Sequence, residues 1–196
     1  MLLSNPAVLK NMRAELESRL PNTSVQPSLA ELEQLPYLRG VIEEALRLSY
    51  GAPGRLQRIA TDETLVFNDG TNVWNIPPGT PCSMSCYFVF QNESIFPDAK
   101  AFRPERWIEN PRLDRYQVVF SKGSRACLGI NLAYAELYLM LAALFRHYGS
   151  PECRRPDDQG ELVLFETSLR DVEFDAEFNV PFPWEGSKGI RIRVVD

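Results

Sequence analysis

Residues 128–148 constrain this chain more than any other stretch. They form a run of twenty-one residues rich in Leu and Ala, with Gly129 near the start and Gly149 after the end. Asn131, Glu136 and Arg146 interrupt the run, so it reads as a helix buried in a protein core rather than a membrane span. The rest of the chain fits a globular setting. Its 196 residues are enough for one domain, and its hydrophobic (44%) and charged (24%) fractions exclude wholesale disorder. The net charge of −5 leaves no basic footprint for nucleic acid. The opening Met-Leu-Leu-Ser-Asn-Pro has neither a basic region nor a sustained apolar run, so no targeting or transmembrane segment is expected in this chain.

Upstream, Asn5 and Pro6 read as the N-cap and first residue of a helix in which Leu9, Met12, Leu16 and Leu20 recur at spacings of three and four, ended by Pro21. Ser28 with Glu31 makes a capping box for a short helix over residues 28–34. Pro36 opens a third helix with Leu38, Val41, Ile42, Ala45 and Leu46 on its apolar face, stopped by Gly51-Ala52-Pro53-Gly54. The period then changes. Leu65-Val66-Phe67 and Val73-Trp74 are strand-like around an Asn68-Asp69-Gly70 turn, and a further strand is expected over 81–84 with a short helix to Phe90.

Residues 91–119 show no sustained period, yet Phe96, Phe102, Trp107 and Tyr116 are too apolar for a disordered linker. They read as an ordered meander, and this segment accounts for part of the 15 prolines. Residues 162–165 and 190–194 alternate as strands of a small antiparallel sheet. The expected class is therefore mostly α with small β-sheets (α+β).

Four cysteines, Cys82, Cys86, Cys127 and Cys153, form no regular framework and read as separate thiols. Cys127 differs in its setting, Phe120-Ser121-Lys122-Gly123-Ser124-Arg125-Ala126-Cys127-Leu128-Gly129. A sulfur at the entry to a long helix meets free backbone N–H groups and the positive end of the dipole, which favour thiolate. Gly123 permits a tight turn, Gly129 a close approach, and Arg125 adds a cation. Such a site suits a thiolate ligand to a soft metal, including haem iron. A buried, inert cysteine at a helix start fits the same residues equally well.

Two weaker constellations accompany it. Glu44 and Arg47, at i and i+3, share a helix face, and Phe102-Arg103-Pro104-Glu105-Arg106-Trp107 lies in the meander. In this order, the three resemble the cytochrome P-450 family: a Glu-x-x-Arg helix, a Pro-Glu-Arg-aromatic meander, and a Phe-x-x-Gly-x-Arg-x-Cys-x-Gly haem loop met at all five defined positions. The wording of the loop looks most like fungal members that oxidise secondary metabolites.

The resemblance implies the C-terminal part of the cytochrome P-450 fold, with residues 1–196 a partial domain covering less than half of a family member. It implies haem b (iron protoporphyrin IX) with Cys127 as the axial thiolate on iron. Arg125 and Arg58 then pair with the haem propionates, Phe120 packs near the sulfur, and Gly123 and Gly129 shape the loop beneath the ring. Glu44, Arg47 and Arg106 form a buried structural network. Residues near 52–56 and 178–183 line the substrate side.

The implied activity is that of a haem-thiolate monooxygenase acting with O2 on a lipophilic small molecule. An NADPH-dependent cytochrome reductase supplies its electrons at the cytosolic face of the endoplasmic reticulum membrane. No residue is assigned a catalytic role, because the family's central proton-relay helix has no counterpart in these residues. The alternatives are a truncated or mis-predicted fragment inactive by itself, and a non-enzymatic haem-binding module. With the rest of a family member missing, the apolar faces of the helices near 36–48 and 128–148 are expected to lie bare. His147, Cys82 and Cys86 are read as structural, Cys153 as an exposed loop thiol, and the acidic run Glu173-Phe174-Asp175-Ala176-Glu177 as a solvated face.

Overall fold

The computed structural model describes residues 1–196. Three helices open the chain. The first, α1 (Pro6–Arg19), starts on proline, whose missing N–H costs nothing there. Asn5 occupies the cap position without capping: its side-chain amide donates to the Met1 carbonyl instead. Helix α2 (Leu29–Leu32) carries the expected capping box, with Ser28 and Glu31 satisfying each other's backbone N–H groups. Helix α3 (Pro36–Ser49) again begins on proline and ends at Tyr50, which takes a left-handed conformation at φ 58°.

Next come β1 (Arg58–Ile59), β2 (Leu65–Asn68), β3 (Val73–Ile76) and β4 (Pro81–Cys82). Strands β2 and β3 pair antiparallel with Phe67 opposite Trp74, as the Asn-Asp-Gly turn predicts, while β1 pairs with β4. The expected strand over 81–84 is shorter because Ser85 caps α4 (Cys86–Phe90). The meander holds α5 (Glu105–Glu109) and a 3₁₀ turn over Pro111–Tyr116. After the cysteine loop comes α6 (Ile130–Phe145), then β5 (Tyr148–Gly149), β6 (Gly160–Leu164), β7 (Ala176–Glu177), β8 (Pro181–Phe182) and β9 (Ile192–Val195). Strands β6 and β9 are antiparallel, with Leu162 opposite Val194; β5 joins them in parallel, and β7–β8 is a separate hairpin.

Two cores result. One gathers Leu9, Met12 and Leu16 of α1, Leu32 of α2, Leu38 and Ile42 of α3, Ala142 and Phe145 of α6 and Leu162 of β6. The other lies inside the meander around Phe90, Phe96, Trp107 and Leu113.

Helix α3 stands between the two cores and is buried on several sides, so its apolar face is covered rather than bare. Gly40 makes this packing possible: a Cβ there would lie 2.8 Å from the Pro104 carbonyl oxygen, just before α5.

Helix α6 departs from expectation in two ways. It is sixteen residues, not twenty-one, with Gly129 as its N-cap and Arg146, still in right-handed helical geometry, as its C-cap just before β5. It is also only half a core helix. Tyr138, Ala142 and Phe145 are buried, whereas Leu132 is 64% and Met140 70% exposed. A run that is apolar on all sides does not show which side finds a neighbour.

Candidate functional site: the cysteine loop and its supports

The loop holding Cys127 is closed by backbone hydrogen bonds. Ser121 N–H donates to the Val118 carbonyl, Ala126 N–H to that of Gly123, and Cys127 N–H to that of Phe120, at 2.9, 3.0 and 2.9 Å. Two left-handed residues turn it, Ser121 at φ 61° and Gly123 at φ 78°. Nothing lies within 4 Å of where a Gly123 Cβ would sit, so Gly123 is required by its backbone conformation rather than by crowding from this chain.

Cys127 is exposed in this chain, and Leu128 beside it is fully exposed. Gly129 leaves room above the sulfur: its Cβ would meet only the Cys127 Sγ, at 3.9 Å. Cys86 is the contrasting case. Its thiol donates to the Tyr50 carbonyl at 3.0 Å, and burial pushes it up from its ordinary value, as suits a packing thiol.

Arg125 closes the 3₁₀ turn Gly123–Arg125 and is exposed. Arg58 on β1 lines a cavity of about 380 Å³ together with Ala52, Leu56, Met84, Ser121 and Lys122. Neither arginine pairs with a carboxylate, although eight other ion pairs form across the molecule. Arg58 reaches only the neighbouring Gln57 carbonyl. The structure thus brings Arg58 to the same cavity as the cysteine loop. The 52–56 segment also meets the 178–183 turn region, since a Cβ on Gly54 would lie 2.8 Å from the Glu177 Oε1 at the edge of that turn. The Phe120 ring packs on Tyr134 of α6, with centroids 5.6 Å apart, and its carbonyl receives the Cys127 N–H.

The Glu44 network is fully assembled. Arg47 donates twice to the Glu44 carboxylate, at 2.9 and 2.8 Å, and to the carbonyls of Phe90, Ala99 and Ala101. Arg106 reaches the same carboxylate at 3.1 Å and the carbonyls of Pro97 and Asp98. Trp107 Nε1–H donates to Glu44 at 2.9 Å, and Arg103 N–H at 3.0 Å. Glu44 and Arg47 are wholly buried. One carboxylate therefore organises residues 90–107 on α3.

The model for the family described as "Cytochrome P450" matches residues 1–170. The chain belongs to the cytochrome P450 family. It is 54% identical over 196 residues to cytochrome P450 monooxygenase astB of Talaromyces wortmannii, covering 97% of this chain and 39% of that protein. It is 51% identical to cytochrome P450 monooxygenase tpcC of Cochliobolus heterostrophus, covering 98% and 37%. It is 40% identical to N-acetyltryptophan 6-hydroxylase ivoC of Emericella nidulans, covering 98% and 36%. The chain thus spans well under half the length of these relatives.

Family membership implies haem, and the residues present fit it. No group of three His, Cys, Asp or Glu side chains is placed to hold a bare metal ion. A single exposed sulfur fits an iron whose remaining ligands belong to a macrocycle. Arg58 and Arg125, free of carboxylates, fit the acid groups of such a ring. No helix is long and apolar enough to cross a membrane.

Sequence reasoning missed Glu43 as a functional candidate. It is 6% exposed, and its carboxylate accepts from Gln117 Nε2 at 2.8 Å and from the Tyr134 hydroxyl at 3.1 and 3.2 Å. The missed signal lay in the position itself, a second carboxylate beside Glu44 on a helix with apolar faces.

Proposed function

We propose that this chain carries the haem-thiolate centre of a monooxygenase that inserts one oxygen atom from O2 into a lipophilic small molecule. The observation that carries this reading is the exposed Cys127 on a closed loop that also carries Arg125 and borders a cavity lined by Arg58, with neither arginine paired to a carboxylate. Iron protoporphyrin IX bound to Cys127 supplies the dioxygen chemistry. The chain's own residues do the rest. Cys127 donates its sulfur, and Arg125 and Arg58 hold the propionates. Gly123 gives the loop its turn, Gly129 keeps the helix start beside the sulfur clear, and the Phe120 carbonyl fixes the Cys127 backbone. Glu44, Arg47 and Arg106 brace the meander behind the loop. The substrate side lies toward residues 52–56 and 178–183.

The fungal relatives support a role in secondary-metabolite oxidation. In this reading, electrons come from an NADPH-dependent cytochrome reductase at the cytosolic face of the endoplasmic reticulum. The test is the absorption spectrum of the haem-loaded protein, reduced and bound to carbon monoxide. A thiolate-type Soret band that vanishes in Cys127→Ala is the expected result. A band absent from the wild type, or retained in the variant, defeats the assignment.

A further inference from the structure

Glu43 and Glu44 are adjacent on α3, yet they serve different parts of the molecule. Glu44 binds only residues of its own helix and the meander up to Trp107. Glu43 binds neither. Its partners are Gln117, ten residues before Cys127, and Tyr134, seven residues after it. The two strands of chain that leave and enter the cysteine loop are thus tied to one carboxyl group.

From that geometry we infer that Glu43 is a positioning residue for the cysteine loop; the inference rests on the proposed role of Cys127. The linkage runs through atoms on both sides. On the outgoing side, the Tyr134 hydroxyl donates to Glu43, and the Tyr134 ring packs at a tilt against Phe120, whose carbonyl accepts the Cys127 N–H. On the incoming side, Gln117 Nε2 bridges the Glu43 carboxylate at 2.8 Å and the Glu43 carbonyl at 3.0 Å.

These groups surround a cavity of about 360 Å³ behind the loop, which Phe120, Ser121, Lys122 and Gly123 also line. Lys122 and Ser121 also line the cavity on the Arg58 side, so the loop is a thin partition whose position depends on what stands behind it. No cation pairs directly with Glu43. The nearby Arg39 is engaged by Asp114 at 2.5 Å. Hydrogen bonds, rather than charge pairing, carry the tether, so a neutral group of the same shape serves in its place.

The experiment compares Glu43→Ala, Glu43→Gln, Tyr134→Phe and Cys127→Ala, all loaded with haem. Haem retention and the thiolate-type Soret band of the reduced, carbon monoxide-bound form are measured alongside the folding midpoint of each haem-free chain. Partners that orient a metal ligand typically change metal retention about 10–100-fold, so Glu43→Ala is expected to weaken haem retention roughly tenfold and to deplete the thiolate-type band. Tyr134→Phe keeps the ring contact with Phe120 but loses the hydroxyl, and is expected to move both readouts in the same direction. Glu43→Gln is expected to stay close to the wild type.

Wild-type retention and band in both Glu43→Ala and Tyr134→Phe overturn the inference. So does a lowered folding midpoint with an unchanged band in the folded fraction, which marks a purely structural role. If Glu43→Ala fails to fold, Tyr134→Phe decides alone. A thiolate-type band that persists in Cys127→Ala defeats the ligand assignment instead, and leaves the two failures distinguishable.

Discussion

Glu44, Arg47 and Arg106 show how far a single residue's chemistry was legible. The i, i+3 spacing of the first two is visible in any sequence, but most such pairs are solvated and weak. Here the pair is wholly buried and completed by Arg106 and Trp107. Arg47→Ala is therefore expected to leave the buried Glu44 carboxylate with Arg106 as its only cation, to orphan the carbonyls of Phe90, Ala99 and Ala101, and to lower stability by about 3–5 kcal/mol, read from a denaturant midpoint. Glu43 was not legible because its partners, Gln117 and Tyr134, lie far along the chain and carry no charge of opposite sign. Burial pushes the Glu43 carboxyl above its ordinary 4.5, against the opposing pull of Gln117, Tyr134 and Arg39 and with a smaller push from Asp114. The folded state therefore holds this proton more tightly than the unfolded chain. The group's contribution to stability is complete below the ordinary glutamate value and is lost as pH rises through the raised one. Unfolding curves across that range should show wild-type stability falling relative to Glu43→Gln as pH increases. A difference that stays flat with pH contradicts the raised value.

At the scale of elements, proline and capping patterns located α1, α2 and α3 because their physics is local: a missing N–H, a hydroxyl and a carboxylate three residues apart. The β2–β3 hairpin was legible for the same reason, through its Asn-Asp-Gly turn. The faces of α6 were not, since period alone cannot distinguish the side covered by α1–α3 from the side left open when every side is apolar. Nor does Gly40 stand out in sequence; it reads as a weak point in a helix. The structure makes it the contact between α3 and the start of α5, where an added Cβ falls 2.8 Å from a carbonyl oxygen that belongs to the backbone and yields little. Alanine is the better helix former by about 1 kcal/mol. Overpacking typically costs about 1–3 kcal/mol, so Gly40→Ala is expected to destabilise on balance. A urea midpoint at or above the wild type contradicts this close packing. The same variant separates two roles of α3, because it displaces the meander without removing a charge.

Across the whole molecule, the two ends of the chain are joined by charges that no local pattern announces. Arg13, on the buried side of α1, pairs with Asp158, which lies 145 residues away; both side chains are 1% exposed. Arg13 also donates to the carbonyls of Phe145, at the end of α6, and Cys153. Arg146 reaches back the other way, to the carbonyls of Leu20, Asn22 and Val25. No sequence pattern singles out either Arg13 or Asp158. Only tertiary structure shows that the turn after α6 is folded around an arginine of α1. This arrangement fixes the C-terminal end of α6, while the cysteine loop sits at its N-terminal end. Arg13→Ala is expected to leave Asp158 buried and unpaired, at a cost of about 3–5 kcal/mol. Hydrogen exchange should rise in β5 and β6 before it rises in the meander, whose own ionic network is separate. Replacing both partners by apolar residues, Arg13→Met with Asp158→Leu, should recover part of the loss, because no buried charge then remains uncompensated. Equal destabilisation by the single and double variants would show that packing of the arginine stem, rather than its charge, ties the two ends together.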